Sequence, residues 1–198
     1  MSYSRLSSLA MILIIAILFF YWGMSKILLT HKFTDNSNNS NSTIKAKLSP
    51  NQIISFTRGS EGLSFLLGGW SEHAEEWGIW SDGSVAKISI PTPIKPGEDI
   101  FFKFCQLEVD FDLFINKKIP QQKINIWVDY EPYEKIVSTK ATNNVLVINL
   151  ENRALANDSV LIEFHISTAK SPSSLGLSDD IRLLSVGLKS IQYKQCQY

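Results

Sequence analysis

Val160-Leu161-Ile162-Glu163-Phe164-His165-Ile166-Ser167 decides how this 198-residue chain is read. Val160, Ile162, Phe164 and Ile166 share one parity, and Glu163 and His165 share the other. A period of two sends successive side chains to opposite faces, so the spacing predicts a strand with one face in a core and one in water.

The same alternation recurs to either side. Lys123 to Asp129 turns Ile124, Ile126 and Val128 inward and Trp127 outward. Val85 to Ile90 turns Ala86, Ile88 and Ile90 inward, with Lys87 and Ser89 outward. Val145 to Leu150 is apolar apart from Asn149, the composition of a central strand. Gln52–Thr57, Leu63–Leu67 and Lys135–Thr139 read as shorter strands, and Arg182–Tyr193 as the closing one. Ile100–Phe111 slips: Phe102 and Phe104 share one parity, whereas Leu107, Val109 and Phe111 share the other. A bulge near Cys105-Gln106 would restore a single inward face. Pro91, Pro93, Pro96 and Gly97 break the chain between strands. About eight or nine strands, with no useful helical pattern after residue 29, predict an all-β sandwich. Nothing alternates strand with helix as a parallel sheet requires.

Composition narrows the partners. Lys and Arg number 19, Asp and Glu number 19, and the formal net charge is +0, so no basic field draws nucleic acid. No cofactor motif is present, neither a P-loop nor a Gly-x-Ser-x-Gly elbow, and His31, His73 and His165 are too scattered for a metal triad. The 2 cysteines, Cys105 and Cys196, lack C-x-x-C spacing. They are a possible disulfide in an oxidising compartment, or two unrelated thiols.

The N-terminus reads as a membrane tether. Leu6 to Leu29 is almost wholly apolar, with Ser7, Ser8, Ser25 and Lys26 as exceptions. At about 1.5 Å per residue such a helix crosses a ~30 Å hydrocarbon layer. No small-residue cleavage site follows, so an uncleaved anchor is expected. The expected organisation is a flank over 1–5, a single transmembrane anchor over 6–29, a flexible Asn/Ser-rich linker over 30–47 and the sandwich over 48–198. Lys26 and Lys32 against Arg5 do not favour an outward C-terminus. A short N-terminus ahead of a long apolar run nevertheless resembles a signal anchor, which places the domain outside the cytoplasm.

Two loop stretches carry the chemistry. Gly68 to Gly83 holds three of the 5 tryptophans, Trp70, Trp77 and Trp80, among Glu72, Glu75, Glu76 and Asp82. Exposed indoles stack on pyranose faces and carboxylates accept from sugar hydroxyls, so these seven residues are the candidate ligand site. The alternative is a structural cap, with each indole N–H paired and its large apolar area buried. Paired acids can also serve a glycosidase, but nothing marks a cleft between them, and no catalytic residue is assigned. The second stretch, Ser171 to Arg182, is a loop of side chains that bond backbone. Arg182, with Asp180 beside it, is expected to act as a structural brace, with a carboxylate of the Trp loop as its partner.

Gly69-Trp70-Ser71-x-x-x-Glu75-x-x-Gly78-x-Trp80-Ser81-Asp82-Gly83 resembles the opening signature of an uncharacterised β-sandwich module. That module is appended to bacterial membrane phosphoglycerol transferases and multi-spanning glycosyltransferases of envelope glycans. Ser171-Pro172 with Leu175-Gly176-x-Ser178-x-Asp180-x-Arg182 resembles its closing signature, so the resemblance spans roughly Ile53 to Tyr193. It implies a jelly-roll fold and a glycan-linked setting outside the cytoplasm. It implies no enzyme, because catalysis in that family lies in other domains. The expectation is a single-pass inner-membrane accessory protein, without cofactor, that binds envelope glycan through the Trp/acid loop. The alternative is a docking module for a membrane glycosyltransferase, with no sugar site of its own.

Overall fold

The clean period-two segments become strands. The computed structural model describes residues 48–93, 102–151 and 155–197. The expected anchor and linker lie outside the described residues. Among the described residues, no helix is long and apolar enough to cross a membrane.

Among the described residues, ten strands form two five-stranded antiparallel sheets. The first runs β1 (Ile53–Ser55), β10 (Val186–Gln197), β5 (Phe104–Leu113) and β8 (Asn144–Glu151), with the short β3 (Ile79–Trp80) also paired to β10. The second runs β2 (Leu66–Gly68), β4 (Val85–Pro91), β9 (Ser159–Ile166), β6 (Gln122–Val128) and β7 (Glu131–Ser138). Setting aside the short β2 and β3, the orders are β1-β10-β5-β8 and β4-β9-β6-β7. The chain changes sheet at every connection but the β6–β7 hairpin, which is the jelly-roll order.

The core is the apolar parity of each strand. Ala86, Ile88 and Ile90 of β4, Val160, Ile162 and Phe164 of β9, and Ile124 and Ile126 of β6 are fully or almost fully buried. They face Cys105, Leu107, Val109 and Phe111 of β5, Leu146, Ile148 and Leu150 of β8, and Val186, Leu188, Ile191 and Tyr193 of β10. Each large side chain so buried contributes roughly 1.5–3 kcal/mol.

Three expectations need correction. β5 holds no bulge: its register with β8 is unbroken from Phe104↔Glu151 to Phe111↔Asn144. Cys105 takes an inward position, bonded to Cys196 of β10, while Phe104 points outward. The irregularities lie in β10: Leu188 pairs Phe111 but Ser190 pairs Asp110, leaving Lys189 as an extra residue, and a second shift falls between Lys194, opposite Gln106, and Gln197, opposite Phe104. Lys189 moves the inward parity from Val186 and Leu188 to Ile191 and Tyr193.

β8 is an edge strand rather than a central one, with Val145 58% and Val147 39% exposed. Tyr133 of β7 covers part of that edge, donating to the Val147 carbonyl (3.2 Å) and accepting from the Asn149 N–H (2.9 Å). Of Leu63–Leu67, read as a strand, residues 63–65 belong instead to the 3-10 helix Glu61–Phe65 ahead of β2.

Candidate functional site

The Trp loop fills the connection between β1 and β4 and folds back on itself. Trp70 bridges Ser81, the Ser71 N–H donates to the Trp80 carbonyl (2.9 Å), and the Asp82 N–H donates to the Gly69 carbonyl (2.8 Å). Gly69 adopts φ +78, and a Cβ there would lie 1.8 Å from the Val85 carbonyl oxygen, so both the conformation and the contact require glycine.

The three tryptophans have separate roles. Trp70 packs edge-on to the core residue Phe164 (centroids 5.9 Å) and its Nε1–H donates to the Lys87 carbonyl (2.8 Å). It is a cap with its polar group satisfied. Trp77 and Trp80 meet each other edge-to-face (5.1 Å, 74°) on the outer side of Gly187 in β10, and Trp80 meets Phe114 in the same way (6.2 Å). A side chain at residue 187 would strike both indoles, its Cβ 2.6 Å from Trp77 and 3.0 Å from Trp80. Trp77 is 36% exposed. Beside the pair opens a groove of about 380 Å³, bounded also by Asp112, Phe114, Ala141 and Thr142.

The loop acids do not converge on that groove. Asp82 accepts the Leu183 N–H through Oδ1 (2.8 Å). Glu76 pairs with Arg58 at 2.9 Å, both strongly exposed, so the pair contributes little. Glu72 is exposed, and Glu75 lies 3.7 Å from Arg182.

Arg182 divides its guanidinium. Its Nε and Nη2 hold the neighbouring Asp180 (3.1 and 2.7 Å) and its Nη1 donates to Ser71 Oγ (3.3 Å). Its strongest carboxylate partner is therefore Asp180, with the Trp-loop acid Glu75 more distant. Those hydrogen bonds hold the Asp180 carboxyl below its usual range. The two loop stretches meet through this brace, and Ser81 ties the Trp loop to β10: its N–H donates to the Val186 carbonyl (2.7 Å) and its Oγ accepts the Val186 N–H (3.0 Å). Ser71, Ser81 and Asp82 of the Trp loop thus hold the sandwich end together.

Sequence reasoning passed over Asp112, Thr142 and Gly187. Asp112 was detectable, since it sits on the outward parity of β5. Thr142 reaches the groove, and Gly187 the two indoles, only through tertiary packing.

A second polar cluster lies on the outer face of the other sheet, where Lys87, Glu163 and Trp127 share one row of the register. Glu163 is 6% exposed, with Lys87 Nζ at 3.2 Å and His165 Nε2 at 2.8 Å, and His165 lies against the Trp127 ring (5.4 Å). His165, expected to be simply solvated, is held by both neighbours. Burial alone would raise the Glu163 pKa, but hydrogen bonds from His165 and Lys87 outweigh it and lower it. Among the described residues, no group of three His, Cys, Asp or Glu side chains is placed to hold a metal ion.

No protein-family model matches the chain, and no curated protein matches it. Among solved structures it is similar to the CBM36-1 domain of a multidomain xylanase from the hindgut metagenome of Trinervitermes trinervoides. The TM-score is 0.40 and the identity 8%, over 75% of this chain and 99% of that one.

Proposed function

We propose that the chain is a non-catalytic carbohydrate-binding accessory protein, tethered to the inner membrane by residues 6–29 and acting on envelope glycan outside the cytoplasm. The observation that carries the sugar reading is the Trp77–Trp80 pair, seated on Gly187 and open to a groove that also presents Asp112 and Thr142. An indole face suits the C–H face of a pyranose, and Asp112 and Thr142 supply the acceptor and hydroxyl that orient one. The groove volume lies at the low end of the usual range for small-ligand sites. Glycoside hydrolysis in its usual form needs two carboxyl groups across the bond, and Asp112 is the one carboxylate lining this groove among the described residues. The Cys105–Cys196 disulfide supports an oxidising compartment.

The described chain starts at Leu48, and Asn51 bonds Tyr193 in the C-terminal half of β10. Gly187 lies near the other end of that strand, roughly 20 Å away at about 3.3 Å per residue.

A docking reading has its own observation. Leu177, Ile181 and Leu183 are 50%, 80% and 43% exposed in the loop before β10, an apolar edge that suits a membrane glycosyltransferase.

The test is a titration of the full-length protein with envelope glycan fragments, followed by tryptophan emission and calorimetry. Saturable binding that Trp77→Ala abolishes and Glu72→Ala leaves intact is expected. Silence across the fragments, or binding indifferent to Trp77, would sink the assignment. Retention of a glycosyltransferase that Ile181→Ser releases would favour docking.

A further inference from the structure

The irregular step that β10 makes beside the Trp loop places a cation there. Lys189 is the extra residue between Leu188, opposite Phe111, and Ser190, opposite Asp110. A bulge re-aims the side chain it carries. This one is held by groups outside the β5 ladder. The Phe56 N–H donates to the Lys189 carbonyl (3.0 Å). Gly78 lies so close that a Cβ on it would come 2.3 Å from the Leu188 carbonyl oxygen and 3.3 Å from the Lys189 Cα. Gly78 follows Trp77 directly, and Ile79 and Trp80 pair Leu188 and Gly187. The segment of β10 that shifts the register therefore also seats the indole pair, so one backbone feature brings ammonium and aromatic platform together.

Two carboxylates hold the ammonium. Lys189 Nζ lies 3.8 Å from Asp110 Oδ2 and 3.8 Å from Asp112 Oδ1, and the three side chains are only 27%, 38% and 21% exposed. Both acids stand on the outward parity of β5, and Asp112 lines the Trp77–Trp80 groove. At that separation the charges attract but no hydrogen bond forms, since an N–H···O bond needs about 2.7–3.2 Å. The ammonium is thus positioned without giving up its donors. Asp112 is fixed in turn, its Oδ1 accepting the Asn143 N–H (2.9 Å). Among the described residues, no hydrogen bond reaches Asp112 Oδ2.

A sugar hydroxyl both donates and accepts. Two of them on adjacent ring carbons can accept from an ammonium and donate to a carboxylate at once. A donor and an acceptor 3.8 Å apart at the rim of an aromatic platform match that pair. Partial burial strengthens such charge-assisted bonds, and fixing both groups beforehand lowers the cost of ordering them. The Lys189 charge is already matched by carboxylates, so an anionic substituent on the ligand adds no net attraction.

We infer that Lys189 is a specificity-determining residue of the Trp77–Trp80 groove, which takes neutral saccharides with a free vicinal diol, gripped between the Lys189 ammonium and the Asp112 carboxylate. The inference rests on the saccharide-binding function proposed for that groove.

The test titrates full-length protein with cellohexaose, fully O-methylated cellohexaose and galacturonate hexamer by calorimetry at neutral pH. Cellohexaose offers a diol on every ring, and the methylated form keeps the ring faces but has no hydroxyl donor. Cellohexaose is expected to bind, and Trp77→Ala to abolish binding. Lys189→Met keeps an unbranched stem, removes the ammonium and is expected to weaken cellohexaose about tenfold. Tryptophan emission of the free protein stays unchanged and Tm stays within about 4 °C, because a partly exposed ion pair contributes little to stability. Lys189→Arg, which keeps a cation, recovers part of the affinity. Methylated cellohexaose is expected to bind about tenfold or more weakly and to ignore Lys189→Met; it tests the diol in the unaltered protein. Galacturonate hexamer is expected to bind no tighter than cellohexaose. Cellohexaose binding that needs Trp77 but ignores Lys189→Met overturns the inference and leaves the saccharide-binding function standing. Methylated cellohexaose bound as tightly as its parent does the same, as does galacturonate bound more tightly through Lys189, which would make this an anion site. No cellohexaose binding also overturns it, and silence of the envelope glycan fragments as well removes the function beneath it.

Discussion

Alanine at position 187 forces the Trp77–Trp80 platform to move. Its Cβ would sit 2.6 Å from the tip of Trp77 and 3.0 Å from the nearest atom of Trp80, against ordinary contacts near 3.4–4 Å. Trp77 therefore has to retreat by roughly 1 Å. It can, because those atoms are the far end of a side chain that is 36% exposed. Overpacking costs about 1–3 kcal/mol when a core must absorb it, and a partly exposed ring lies at the bottom of that range. The loss of glycine entropy from the unfolded chain returns about 0.4–1 kcal/mol, so the net change in stability is expected within ~1 kcal/mol.

The same substitution at Gly69 behaves differently. There the new Cβ lies 1.8 Å from a backbone oxygen, that of Val85, and φ is +78. Backbone cannot retreat as a ring tip can, and the left-handed conformation adds about 1 kcal/mol or more of strain. A loss of about 3 kcal/mol or more is expected for Gly69→Ala. Urea denaturation with unchanged m-values reads both numbers, and tryptophan emission reports the tilt of the platform in Gly187→Ala. The tertiary reasoning is refuted if the two variants are equally stable, or if Gly187→Ala leaves both emission and glycan affinity at their original values.

Asp82→Ala removes the acceptor of the Leu183 N–H and is expected to cost about 1–2 kcal/mol, whereas Glu76→Ala, on an exposed ion pair, stays within about 0.5 kcal/mol in thermal melts. Reduction of Cys105–Cys196 opens a cross-link spanning 91 residues and is expected to lower stability by about 4 kcal/mol in urea titrations with and without reductant; a difference under about 1 kcal/mol would count against it. Asp180 and Glu163 both have pKa values lowered from 3.8 and 4.5 in the folded state. Their contribution is therefore present above those unfolded values and lost as pH falls through the lower folded ones, and Glu163→Gln should flatten the acid limb of a stability–pH curve.

The strands were legible because burial on one face of a sheet writes itself as a period of two, as in Val160 to Ile166 and Val85 to Ile90. Where the reading slipped, a partner strand had decided. Cys105 counts as apolar only once it is inside and bonded to Cys196, so the parity change was assigned to β5 when β10 carries it at Lys189. Val145 and Val147 looked central because apolar residues on both parities suggest burial on both faces, yet β8 is an edge whose outer face stays open.

The candidate site divides along the same line. Composition alone marked the Gly68–Gly83 stretch as special, since glycine, acid and tryptophan in that density fit neither period. It also marked residues 171–182 as a loop of backbone-bonding side chains. Which tryptophan caps the core and which reaches solvent was beyond it. Trp70 and Trp77 differ only in what stands opposite them: the Lys87 carbonyl and Phe164 for one, the bare backbone of Gly187 and an open groove for the other. Local sequence determines periodicity and turn chemistry because these depend on neighbours along the chain. The fate of an individual indole or carboxylate depends on surfaces contributed from other strands, and only the packing of the two sheets brings those together.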